Sequence, residues 1–333
     1  MKIGKIPNDI LEKLILNKIS ANRKEILLRP KIGEDCCAVD FDKYACVLST
    51  DPITGTANEI GRLAVHISCN DIASCGVEPL GLLVTILAPP GTSEAELEKV
   101  MSQLCETAAS INVDIIGGHT EITAAVNRFV VTSTALGRVL KDRLVSTSGA
   151  KPGNDIVLTK SAGLEGTAIL AYDREKALTG ALGLETVERA KNLMEKISVV
   201  KEGIIAGEYG ATSMHDVTEG GVLGAVWEVA EASGVGVIIE KVKIPVGYET
   251  VKICSFYGID PLKLISSGCM LITCPDGEGL TARLSASGIS SSIIGRITSE
   301  NKKILMDGGV EKPILQPESD ELYKVLDLSL IHI

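Results

Sequence analysis

Aromatic side chains are scarce in this 333-residue chain, at 3% of positions with one Trp and three Phe. Its cores must therefore be built from Ile, Leu, Val and Ala, a composition suited to helices layered on sheets. Long apolar runs are missing too. No stretch reaches about 18 consecutive apolar residues, the length a membrane-spanning helix requires, and Met1-Lys2-Ile3-Gly4-Lys5 lacks the apolar centre of a secretory signal. A cytoplasmic protein with no membrane partner is expected. Positive charge is in deficit, with 33 Lys+Arg against 43 Asp+Glu and a net charge of −10. A sequence-independent grip on nucleic acid needs clustered Lys and Arg and is not expected. The nine cysteines include no CxxC pair and mostly sit in apolar runs such as residues 269–274. They read as small buried hydrophobes in a reducing compartment, and only Cys36-Cys37 beside Asp35 puts a thiol near a candidate cleft. The familiar nucleotide fingerprints are absent as well: there is no GxxxxGK[ST], and Gly220-Gly221-Val222-Leu223-Gly224 does not fit GxGxxG. Any nucleotide must be held in another way.

Apolar residues make up 45% of the chain, enough for real cores, and the length allows two domains at about 150 residues each. A polar, Gly-containing stretch at 139–155 reads as the linker, giving domains 1–150 and 151–333. In the first, apolar runs predict strands at 43–50, 80–88, 113–116 and 128–139. Helical spacing predicts a helix at 58–75, and Ser93 with Glu96 forms a capping box opening another at 94–111. The second half restarts the pattern. Strands are predicted at 156–159, 212–217, 235–240, 269–274 and 291–297, with helices from 164, at 186–196, 199–209, 222–232 and 276–286. An α/β chain follows.

Four acidic phrases recur in the first third: Gly33-Glu34-Asp35, Ser49-Thr50-Asp51-Pro52, Cys69-Asn70-Asp71-Ile72 and Gly117-Gly118-His119-Thr120-Glu121. Each follows or ends an apolar stretch, so the acids are expected at element ends, exposed, and able to converge on one cleft. Two unit charges about 4 Å apart repel by roughly 1 to 4 kcal/mol. A hard cation such as Mg²⁺, with a phosphate chain behind it, is the natural partner of Asp35, Asp51 and Asp71. His119 could bond a phosphate oxygen, ligate metal or close a turn. His66, on an apolar helix face, reads as a satisfied structural group, and His332 as part of a loose tail. In the second half, Lys160-Ser161-Ala162-Gly163 opens a helix whose backbone donors can face an anion. The phrase His215-Asp216-Val217-Thr218-Glu219-Gly220-Gly221 puts two acids, a hydroxyl and paired glycines at a strand-to-helix junction, a composition fit for substrate contact. Ser266-Ser267-Gly268 has ordinary turn composition.

In order and separation these phrases resemble the aminoimidazole ribonucleotide synthetase (PurM-like) superfamily, from Gly33 to about Gln316, and look most like its hydrogenase maturation factor group. The resemblance implies a two-domain α/β (α+β) fold whose N-terminal domain pairs with its twin as a dimeric β-barrel, beside a C-terminal α/β domain. It implies ATP held through Mg²⁺ by Asp35, Asp51 and Asp71. Asn70, Gly117, Gly118 and Thr120 would line the nucleotide cleft, with Lys160, Gly163 and Asp216 facing it from the second domain. The activity implied is ATP-dependent phosphorylation or activation of an acceptor, with Asp216 and Glu219 orienting it and His119 in the site. The maturation-factor group ends in Pro-Arg-Ile-Cys, whereas this chain ends Ser329-Leu330-Ile331-His332-Ile333. Carbamoyl chemistry on its own tail is therefore not expected. Gly118-His119-Thr120 and Ser267-Gly268 are similar to selenophosphate synthetase, without that enzyme's N-terminal Cys-Gly-Lys signature. The alternatives are a selenophosphate synthetase-like or thiamine-phosphate kinase-like activity, or an ATP-binding assembly factor that docks a maturation partner protein.

Overall fold

The computed structural model describes residues 5–20, 22–54, 59–317 and 319–327. The first third folds as one sheet of β1 (Ile26–Leu28), β2 (Cys37–Phe41), β3 (Tyr44–Ile53), β4 (Pro79–Ala88), β5 (Asp114–Ile122) and β6 (Val130–Leu140), in the order β1-β2-β3-β6-β4-β5. Along β3, burial alternates through Ala45, Val47 and Ser49, the signature of a sheet with one packed face. That face lies against helix Ile60–Ser74, which is buried almost throughout. Helix Glu94–Ser110 packs outside it and carries the expected box, with Ser93 and Glu96 capping each other.

The second sheet contains β7 (Asp155–Thr159), β8 (Ser213–Asp216), β9 (Gly236–Glu240), β10 (Met270–Cys274), β11 (Ser291–Thr298), β12 (Lys303–Asp307) and β13 (Val310–Pro313), ordered β13-β12-β9-β11-β7-β10-β8. Helices cover it, so the architecture is mixed α/β. One apolar cluster joins the two sheets: Val47, Ile86 and Val131 of the first, with Ile72 of the helix upon it, share it with Val157, Met214, Met270 and Ile272 of the second. Helix Val200–Tyr209 crosses helix Ile60–Ser74 at this seam, where a Cβ on Gly203 would lie 2.2 Å from the Ala73 carbonyl oxygen. Only glycine permits that approach.

Several elements differ from expectation. β3 runs on through Asp51-Pro52 and β5 through Gly117-Gly118-His119, because both keep their ladder partners past those residues. At Gly118 a Cβ would fall 1.8 Å from the Val84 carbonyl oxygen, so glycine there serves the strand rather than a turn. The helix expected at 186–196 is Leu184–Lys191 followed by a 3₁₀ turn, Asn192–Lys196. Helices Asn8–Leu14, Glu175–Leu182, Tyr248–Tyr257 and Glu321–Asp327 lacked a readable signal. The stretch at 139–155 is packed: Thr147 is buried, bonded to Met214 and approached by Ser213. The expected helix start at Asn58, and His332 with the rest of the tail, lie outside the described residues.

Candidate functional site

Every residue of the short strand β8 is buried, and it delivers His215 and Asp216 to the junction with helix Gly221–Ser233. The first-half segment carrying Asp35 is fastened over this junction. Lys31 Nζ donates to the Ala232 carbonyl at 2.6 Å, and Glu34 accepts from the amides of Thr147 and Ser148 at 3.3 and 3.1 Å. Asp35 then meets His215, Nδ1 lying 2.7 Å from Oδ1, while His215 Nε2 lies 2.8 Å from Glu228 Oε2. Burial opposes a charge on His215, yet Asp35 and Glu228 outweigh it and hold the imidazole pKa well above its usual 6.5. A buried charge persists only when paired in this way. For Glu228, burial pushes upward, but His215 and Lys5 keep the carboxyl below its usual range.

Asp71 enters from helix Ile60–Ser74. Its Oδ2 accepts from Ser49 Oγ at 2.5 Å, and its carboxyl lies against those of Asp51 and Asp216. Burial first, then Asp216 and Asp51, raise its pKa well above normal. Asp216 is 1% exposed, and neither carboxylate oxygen has a hydrogen-bond donor. Burial and then Asp35 push it to about 7. The ligand atoms of Asp35, His215 and Asp216 lie within 4.8 Å of one another. An unsatisfied buried acceptor costs about 1 to 3 kcal/mol, more when charged. A divalent cation with oxygen ligands relieves that cost, so the carboxylates of this set, with charged His215 beside them rather than among the ligands, fit Mg²⁺.

The structure thus brings Asp35, Asp51 and Asp71 together and adds Asp216. Two features of the expectation are corrected: Asp51 and Asp71 lie within a strand and a helix rather than at their ends, and Asp71, 6% exposed, is buried. Three residues expected to face nucleotide bond to the protein instead, Asn70 across the two halves and Lys160 and Gly163 within the second. The Asn70 amide donates to Ile197 O at 2.9 Å and accepts from Val199 N at 2.8 Å. Lys160 Nζ donates to the carbonyls of Lys196, Ser198 and Gly268 and pairs with Glu202 at 2.6 Å. Gly163 N donates to Ser266 Oγ at 2.6 Å. Their polar groups are committed inside the protein.

His119 is corrected as well. Strand register sets it beside Thr85, with Thr132 and Pro52 in the same row, whereas Gly118 shares its row with Val84, Ser133 and Asp51. Adjacent rows project to opposite faces, so His119 points away from the acids, exposed and 3.3 Å from Glu121. Gly117, Gly118 and Thr120 lie on the same edge strand, three strand spacings from β3, about 14 Å. Glu219 sits just past the cluster, accepting from the Tyr323 hydroxyl at 2.8 Å and from Lys5 N at 3.2 Å. The Cys36 thiol is no nucleophile here, since burial and then Cys75 push its pKa far up. His66 is buried with Nδ1 unpartnered, its pKa lowered to about 4, so it is neutral rather than satisfied.

Sequence reading missed three members of the site. Lys5 Nζ reaches Thr218 Oγ1 at 3.3 Å and sits in the field of Glu228, Glu219, Asp35 and Asp216; burial opposes its charge, and these acids hold its pKa above normal. Nothing in the spacing ties residue 5 to residue 218. His215 had been quoted only within its phrase. Glu228 left one signal, an acid at a buried position of an apolar helix.

A two-sheet α/β chain with acids from both halves converging at one seam defines the class. The AIR synthase related N-terminal domain matches residues 33–139, and the AIR synthase related C-terminal domain matches residues 151–308. The chain belongs to the AIR synthase related family. It is 27% identical over 307 residues to a carbamoyl dehydratase HypE of Rhodobacter capsulatus, covering 90% of this chain and 87% of the relative. A structure described as the HypE–HypF complex matches with a TM-score of 0.73 at 24% identity, covering 92% of this chain and 99% of the other. One of the hydrogenase maturation protein HypE in complex with ATP matches at 0.70 and 22%, covering 96% and 97%. These structural likenesses establish the fold. No described helix is long and apolar enough to cross a membrane.

Proposed function

We propose that this protein is a Mg²⁺-dependent, ATP-using enzyme of the hydrogenase maturation factor-like group that phosphorylates or activates an acceptor. The observation that carries the reading is Asp216, a buried carboxylate without a donor, set among Asp35, His215 and Asp71. Asp35, Asp51, Asp71 and Asp216 would hold the metal, which when bound offsets charge on the transferring phosphoryl group. His215 keeps Asp35 oriented and Glu228 paired, and Lys5 adds a positive charge beside them. Glu219, just before the paired glycines at 220–221, faces the acceptor. The paired glycines at 117–118 and Thr120 on β5 are assigned to the far end of the nucleotide cleft. The HypE structures solved with ATP and with HypF favour nucleotide binding and a maturation partner here.

The second reading concerns assembly. Leu80, Leu83, Ile116 and Ile122 are each exposed by 44% or more along the open side and edge of the first sheet, a patch suited to a second copy. A homodimer closed across residues 1–150, with 151–333 outside it, is the arrangement we assign, in the cytoplasm. The nucleotide reading is tested by thermal shift. Mg²⁺ with a nonhydrolysable ATP analogue should raise the melting temperature of the wild type, and Asp71→Asn or Asp216→Asn should abolish the rise. A full rise in both variants would falsify it.

A further inference from the structure

The paired glycines that follow Glu219 seat two walls of a cavity the reading above does not use. At Gly221, φ is +61° and a Cβ would lie 2.7 Å from the carbonyl oxygens of Leu262 and Leu264, so the segment carrying Lys263 packs directly on this turn. At Gly220, φ is +86° and a Cβ would lie 2.9 Å from Pro317, so the strap at 314–317 packs on it as well. Leu223 N donates to Leu262 O at 3.1 Å and Glu321 N to Lys263 O at 3.4 Å, which ties the same segment to helices Gly221–Ser233 and Glu321–Asp327. The space these elements enclose has a volume of about 500 Å³. Pockets that hold small molecules run from roughly 300 to 1,000 Å³.

Leu223, Leu305 and Ile314 give the cavity an apolar lining held in place by the core, each of them 8% exposed or less. Lys263 and Lys324 line it too. The Lys324 ammonium is spent on Glu321, 2.6 Å away, whereas among the described residues Lys263 Nζ has no hydrogen-bond or ion-pair partner. Lys263 thus brings an uncommitted positive charge to the cavity, in a chain of net charge −10. The way from the cavity to the acids runs past Glu219. Tyr323 lines the cavity and donates its hydroxyl to Glu219 Oε1 at 2.8 Å, while Glu219 Oε2 accepts from Lys5 N. A smaller space of about 40 Å³, lined by Lys5, Glu219 and Glu228, adjoins it and shares Gly220, Pro317 and Ser319 as common wall.

Resting on the ATP reading, we propose that this cavity is the acceptor compartment and that the acceptor is a small organic anion. Its apolar body lies against Leu223, Leu305 and Ile314, its anionic group pairs with Lys263, and its reacting end is turned toward Glu219. An uncharged molecule of the same shape leaves Lys263 unpaired, and a cationic one meets it with like charge. Apolar walls with a few placed polar groups are what a site uses to hold and orient such a ligand.

The probes are anilinonaphthalene sulfonate, which joins an apolar ring system to one anionic group, and phenylnaphthylamine, the same rings without the charge. Binding to the full chain is read by fluorescence titration, with and without Mg²⁺ and a nonhydrolysable ATP analogue, and nucleotide thermal shifts are measured alongside. Because the open side of the first sheet also offers apolar surface, the variants rather than the dyes alone locate the site. From wild type to Lys263→Met, the ratio of sulfonate affinity to phenylnaphthylamine affinity should fall about tenfold, with the uncharged dye held within about twofold. Gly224 lines the same cavity, and a Cβ there would lie 3.6 Å from Pro317. Gly224→Leu should therefore fill the space and weaken both dyes about tenfold or more; if it fails to fold, Lys263→Met still decides. The sulfonate and the nucleotide analogue should bind together, each leaving the other's affinity within about threefold. An unchanged affinity ratio in Lys263→Met, or no dye binding by the wild type, overturns the proposal. Displacement of the nucleotide analogue by the sulfonate overturns it too, since the cavity would then belong to the nucleotide. Dye binding as expected with no nucleotide shift in the wild type would instead overturn the ATP reading beneath it.

Discussion

Two groups of polar residues inside this molecule differ in how completely they are satisfied. In the first, Asn70 spends its hydrogen-bonding capacity on backbone groups of Ile197 and Val199 across the seam, and Lys160 spends its own on three carbonyls and Glu202 within the second half. At the acid cluster, Asp216 has no donor, and Asp71 is crowded by other carboxyls. A satisfied buried network stabilises and rigidifies; an unsatisfied one of like charge costs stability and persists where a ligand completes it. The contrast separates scaffold from site more sharply than burial does, since Asn70, Asp71 and Asp216 are all buried.

The largest effect that would break the contrast is at Lys160. Replacing it with Met strands the buried Glu202 carboxylate and three carbonyls, so a loss of about 3 to 5 kcal/mol in denaturant unfolding is expected. Its nucleotide affinity, measured below the shifted transition, should change little. Asn70→Ala should cost about 2 to 3 kcal/mol by the loss of two buried hydrogen bonds, again with little effect on affinity. Loss of nucleotide binding in either variant, with stability intact, would erase the distinction.

Asp216→Asn should act oppositely, raising the stability of the metal-free protein by about 1 kcal/mol while abolishing Mg²⁺-dependent stabilisation. A pH series sharpens this. The Asp216 pKa is about 7 folded against 3.8 as its ordinary value, so the unfolded chain binds fewer protons between those limits. Stability contributed by the protonated form is therefore lost as pH rises from about 4 to 7. Subtracting the melting curve of Asp216→Asn from that of the wild type should reveal this slope, and saturating Mg²⁺ should flatten it in the wild type alone. A pH-independent difference between the two proteins would count against the buried, donor-free carboxylate.

Much of the local structure was legible. The capping box at Ser93 and Glu96 fixed helix Glu94–Ser110 to within a residue of its end, because its partners are three residues apart. Alternating and continuous apolar runs located most strands. Strand ends were misplaced at Asp51 and Gly117, where proline and paired glycines read as stops but the cross-strand ladder continued. His119 was assigned by its neighbours in sequence, whereas its face is set by register against β4, which a single strand does not encode.

Composition, apolar periodicity and the spacing of acids around small residues determined the α/β class and singled out the carboxylates at 35, 51, 71 and 216, because these features depend on neighbours along the chain. Tertiary structure alone decided that Asn70 and Lys160 serve as clasps, that Lys5 and Glu228 join the acids, and that His119 looks the other way. Hydrogen bonding and electrostatic balance are settled by which groups from remote segments share one dry space, and that is known only once the two sheets have closed on their common core.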